Sequence, residues 1–83
     1  MDPRFEELDR LLIKYPGLDY ILLGGVVSVK LCRTILNIDR WEMQDLQQDL
    51  LKAFCIKGLS NSTFRAVPKV EEYLKEVIEQ RGG

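Results

Sequence analysis

Apolar residues recur along this chain at helical spacing in most of its length, and alternate in strand fashion only briefly. Phe5, Leu8, Leu12 and Tyr15 fall on one face, with Leu11 and Ile13 widening it, which predicts an amphipathic helix over residues 3–15. Asp2 suits its N-cap and Pro3 its first turn, where a missing N–H costs nothing. Glu6 and Arg10, four apart on the polar side, form a favourable pair. Tyr15-Pro16-Gly17 then turns the chain.

The stretch LDYILLGGVVSVKLCRTIL, residues 18–36, is the most apolar in the protein and the most ambiguous. Gly24-Gly25 between β-rich flanks has the form of a two-residue hairpin loop. A hairpin alone is only marginally stable, however, and the pattern elsewhere offers it no further strands. The alternative is a helical turn over residues 18–23, a glycine break, and a helix over residues 26–37. On that helix Val27, Leu31 and Ile35 stack at i, i+4, i+8 with Cys32 and Leu36 beside them, while Lys30, Arg33 and Asn37 face water. The helical reading is preferred.

Asp39 followed by Glu42 is a capping-box arrangement, with Ile38 and Met43 placed as a hydrophobic staple. The pattern predicts a helix over residues 40–57, stopped by Gly58, with Met43, Leu46, Leu50, Ala53 and Phe54 as its main stripe. Trp41, Leu51 and Cys55 fall on the opposite side as a smaller apolar patch. Ser60, Asn61, Ser62 and Thr63 read as a polar turn leading into a short helical piece over residues 62–66. From Pro68 the spacing of Val70, Leu74 and Val77 predicts a last helix over residues 68–80. The expectation is therefore an all-α fold, a single domain over residues 1–83 built from four main helices.

Composition changes this picture little but narrows function. A chain of 83 residues with 46% hydrophobic and 30% charged residues and net charge −1 is ordinary for one globular domain. No histidine is present, so neither a histidine-based triad nor a Cys–His nucleophile pair can be built. Two cysteines without histidine fall short of a structural zinc site, so no metal and no cofactor is expected, and no enzymatic activity. The apolar run at Ile21 to Val29 is too short to span a bilayer. The opening MDPRFEELDR lacks the basic-then-apolar order of a signal peptide. The expectation is an intracellular protein away from membranes, with Cys32 and Cys55 reduced.

Two functional readings follow. The first is a protein-interaction module, an adapter or a homodimer, that docks a partner through the smaller patch of the third main helix. Trp41, Leu51 and Cys55 would be buried in the contact, with Arg40 and Lys52 orienting it. The alternative is a helix-turn-helix nucleic-acid binder using the segment 52–69, where the charged residues are all basic: Lys52, Lys57, Arg65 and Lys69. It would present Lys57, Asn61, Ser62, Thr63 and Arg65 to a groove, the polar residues from its turn and short second helix. The slightly acidic total and Pro68, which truncates that helix, weigh against it.

Overall fold

Five helices and three short strands make up the computed structural model, which describes residues 3–82. In chain order they are α1 (Pro3–Lys14), α2 (Leu18–Leu23), β1 (Val27–Ser28), α3 (Val29–Leu36), α4 (Arg40–Lys52), β2 (Ile56–Ser60), β3 (Thr63–Ala66) and α5 (Pro68–Gly82). The capping role expected of Asp2 lies outside the described residues.

Leu8, Leu11 and Leu12 turn α1 into the core, and Tyr15 follows them. Ile13 does not join that stripe; it is exposed. Arg10 pairs with Glu7 three residues back, not with Glu6. Gly17, at φ 97°, makes the left-handed turn into α2 that a side chain would strain. The helical turn expected over residues 18–23 is α2, with Leu18, Ile21 and Leu22 buried.

The all-α expectation is wrong at two places, and one sheet accounts for both. After Gly25, at φ 88°, Val27 and Ser28 are extended and pair antiparallel with Phe64 and Thr63 of β3. The partner strand lies far along the sequence, so a local hairpin across the twin glycines is neither needed nor formed. The helix expected from residue 26 begins three residues later, at Val29, where the Ser28 hydroxyl accepts the Leu31 N–H at 2.9 Å. The face it buries also differs from the expected stack: Cys32 is buried and Leu36 half-buried, whereas Leu31 and Ile35 are exposed.

The second departure is at the end of α4. The helix stops at Lys52, five residues before the expected Lys57, because Phe54 takes the left-handed conformation at φ 58°. The Phe54 N–H donates to the Leu51 carbonyl and the Cys55 N–H to the Leu50 carbonyl, the paired bonds of a Schellman ending. Residues 56–66 then form a hairpin, with strand order β1-β3-β2, in place of the helical piece expected over 62–66. Its burial has period two: Phe64 and Ala66 point inward and Arg65 outward. Leu59 is the extra residue of a bulge between the pairs Gly58–Phe64 and Ser60–Thr63. The chain is thus a mixed α/β domain.

Phe64 is fully buried on the central strand and joins the sheet to a core of α1, α2, α4 and α5 leucines. Helix α5 packs on α2, and Arg81 at its far end donates to the buried Asp19 at 2.7 Å. Phe5 stacks on Tyr73 with ring centroids 4.2 Å apart, and the Tyr73 hydroxyl donates to Asp9 at 2.7 Å. Burial first, then the contact with Asp9, pushes that hydroxyl up to about 12.

Candidate nucleic-acid interface

Helices α3 and α4 are separated by the three residues Asn37, Ile38 and Asp39, each with a defined task. Asn37 ends α3 at φ 56°, with the Ile38 N–H donating to the Arg33 carbonyl and its own N–H to that of Thr34. Asparagine tolerates this left-handed position better than most side chains. Arg33 Nε donates to the Ile38 carbonyl at 3.2 Å and braces the turn. Asp39 then caps α4, its carboxylate accepting the Glu42 N–H at 2.8 Å. The capping box is half made, for the Glu42 carboxylate goes elsewhere. Three residues thus join two packed helices, a connection as short as that of a helix-turn-helix.

The hairpin stands beside that pair like a wing. Its tip, Asn61-Ser62, reaches back to the start of α3, where the Ser62 carbonyl accepts the Val29 N–H at 2.8 Å. Between the tip, α3 and α4 lies an open groove of about 600 Å³. Val29 and Met43 contribute its apolar floor. Its cations are Lys30, Arg33 and Arg40, and its amides are Gln44, Gln47 and Gln48 of α4 together with Asn61. No carboxylate lines it.

The acids of α4 are on its other flank. The Tyr15 hydroxyl donates to Glu42 at 3.1 Å. Burial first, then that hydrogen bond and the fields of Glu42, Asp45 and Asp49, pushes the Tyr15 hydroxyl up to about 12. Arg10, held chiefly by its hydrogen bond to Glu7, also feels Asp49. Helix α4 therefore divides its charge: carboxylates toward α1, a guanidinium and glutamines toward the groove. This is the physical answer to the acidic total that counted against nucleic acid. The net charge is the sum of separate faces, and the groove sees only one of them.

The residues singled out from the sequence scatter across the molecule. Arg40, Asn61 and Ser62 line the groove. Trp41 is 66% exposed and Leu51 37% exposed on the outward side of α4, and the Arg40 guanidinium lies 5.1 Å from the Trp41 ring centre. Cys55 leaves the patch altogether: it follows the helix, is fully buried, and its thiol points to the Arg4 carbonyl at 3.7 Å. Phe54, expected inside, is 71% exposed. Lys52 lines a different cavity of about 560 Å³ beside Arg4, Glu7 and Asp49; with charges of both signs, that cavity favours neither anion nor cation. Lys57 and Arg65 are cross-strand partners on the hairpin's outer side, and Arg65 pairs with Glu71 at 3.0 Å. Thr63 shares a hydrogen bond with Ser60 at 2.7 Å.

Lys30, Arg33, Gln44, Gln47 and Gln48 were not singled out from the sequence. One signal was available: Gln44, Gln47 and Gln48 cluster amides on a single helix within about two turns of Arg40.

Among the described residues no group of three Cys, Asp or Glu side chains could hold a metal ion, and no helix is long and apolar enough to cross a membrane. The chain matches no protein-family model, and no curated protein or solved structure matches it significantly.

Proposed function

We propose that this domain is an intracellular, non-enzymatic DNA-binding module that lays α4 in the major groove, with α3 and the hairpin tip against the flanking backbone. The observation that carries the reading is the groove: three cations and three glutamine amides, with no carboxylate, on a helix-turn-helix whose acids face away. A helix of this kind fits a major groove about 12 Å wide. The binder is not the one drawn from the sequence, since residues 52–69 supply a hairpin rather than a reading helix.

Fluorescence anisotropy with a labelled duplex, titrated over a range of salt concentrations, tests it. Three neutralised phosphates give a slope of log K against log salt of about −2.7. Replacing both Arg33 and Arg40 with alanine brings the slope to about −0.9, with helicity unchanged. Absence of binding at about 50 mM salt, where such contacts are strongest, refutes the reading.

A second reading is favoured by the exposure of Trp41 and Leu51: a protein interface, with the tryptophan as anchor. Under it the domain self-associates or captures a partner chain. Sedimentation then shows a dimer that Trp41→Ala and Leu51→Asp dissociate, and duplex DNA changes nothing. A monomer at all concentrations removes the homodimer form of this reading.

A further inference from the structure

Resting on the DNA-binding reading, we infer that Gln44 and Gln48 read adenine in the major groove, so that the preferred duplex carries A·T pairs where these two side chains reach. Successive residues at i, i+4 lie about 40° apart and about 6 Å along the axis, so Gln44 and Gln48 form one stripe. At about 3.4 Å per base pair this separation covers roughly two steps of the duplex. Both side chains are exposed and line the groove, as does the half-buried Gln47.

The chemistry selects the base by elimination. Guanine is read by Arg or Lys across O6 and N7, and cytosine by a carboxylate accepting from N4. Beyond Arg40, the groove-lining side of α4 has neither: its next cation, Lys52, lies in the other cavity, and Glu42, Asp45 and Asp49 are outside the groove lining. What remains are amides, each of which can donate to N7 and accept from N6–H of the same adenine. Trp41 and Leu51 flank the stripe with exposed apolar surface, suited to the C5 methyl of the paired thymine. The polymer is DNA rather than RNA, because the deep, narrow major groove of A-form RNA does not admit side chains to base edges.

The test starts from duplexes selected out of a random pool by the full chain. Each adenine of the selected site is then replaced by 7-deazaadenine, which removes the N7 acceptor alone. Wild-type protein is expected to lose about 10- to 100-fold in affinity at one or two adenines. Gln44→Ala and Gln48→Ala should each bind the parent site that much more weakly and become indifferent to 7-deazaadenine at one position. Both side chains are exposed, and circular dichroism checks that the variants remain folded. Salt-sensitive binding with no base preference, or with a preference that survives both substitutions, overturns this inference and leaves the DNA-binding reading intact. Failure to bind any duplex overturns both. Tighter binding to double-stranded RNA of the same sequence overturns the inference as well.

Discussion

Among the described residues two other than glycine hold the left-handed conformation, and they sit at the two bends that aim α4: Asn37 before it and Phe54 after it. Replacing Phe54 with glycine and, separately, with alanine isolates the backbone contribution. Both variants delete the ring, which is 71% exposed, so the packing loss is shared and cancels in the comparison. What differs is conformation. A residue with a Cβ pays about 1–2 kcal/mol for the left-handed region and glycine pays none. Glycine in turn loses about 0.4–1 kcal/mol more by restricting a freer unfolded chain. The balance leaves Phe54→Gly more stable than Phe54→Ala by about 0.5–1 kcal/mol, the reverse of the order inside a helix. Urea unfolding followed at 222 nm resolves this: with a slope near 1 kcal/mol per molar, the midpoints differ by about 0.5–1 M. Asn37 is the internal control. Its amide already favours the left-handed region, so Asn37→Gly should stay within about 0.5 kcal/mol of the parent, and Asn37→Ala should be the less stable variant. If alanine equals or exceeds glycine at position 54, the chain does not turn there through a Schellman ending, and the early stop of α4 loses its cause.

The ion pair between α2 and α5 predicts an asymmetry. Arg81→Ala strands a carboxylate that is 3% exposed, whereas Asp19→Ala leaves a cation free to reach water, so the first should be the more destabilising, by about 1–2 kcal/mol after allowance for the exposed guanidinium; equal unfolding midpoints would refute it. Alkaline pH should also weaken the fold. The hydroxyls of Tyr15 and Tyr73 are pushed up to about 12 and the Cys32 thiol, by burial, to about 11, against ordinary values of 10.0 and 9.0. In each case the unfolded chain loses its proton first, so stability is complete below pH 9 and falls as pH rises toward 12. Urea midpoints measured at pH 8 and at pH 11 should differ in that direction, and a flat profile would contradict the burial of these groups.

Helices whose apolar faces turn onto the core were legible from spacing alone. Leu8, Leu12, Met43, Leu46, Leu50, Val70 and Leu74 are all inside, and Asp39 caps the helix it was expected to cap. The sheet was not legible because each strand is too short for period two to outweigh period 3.6. Val27-Ser28 is two residues long, and the inward positions of β3 are only Phe64 and Ala66. The partner that makes Val27 a strand residue is Phe64, a pairing no local window contains. The end of α4 was hidden for a related reason. Gly58 looked like the stop, but the turn is made by an aromatic residue four positions earlier, where tertiary context overrides propensity. The error then passed to the site. Extending the helix to residue 57 carried Cys55 onto an outward patch and made the polar residues 60–63 the turn before a short helix rather than a hairpin tip.

The same geometry explains how a chain with net charge −1 can present a cationic groove. Tyr15 is fixed by burial at the end of α1, and its hydroxyl gives Glu42 a donor on the side of α4 remote from the wing. Asp45 and Asp49 follow Glu42 at helical intervals and fall on that same flank. Asp39, the acid nearest the groove in sequence, has its carboxylate turned to the Glu42 N–H. Each acid of this region is thus held by a helix end or directed toward α1, while Arg33, braced against the Ile38 carbonyl, and Arg40, over the Trp41 ring, are held where the groove opens. Cations prepositioned in this way would lose less side-chain freedom on meeting an anion. Total charge is a poor guide for so small a domain, because one helix rotated by its apolar stripe sorts the signs onto opposite flanks, and a phosphate backbone meets only the flank that faces it.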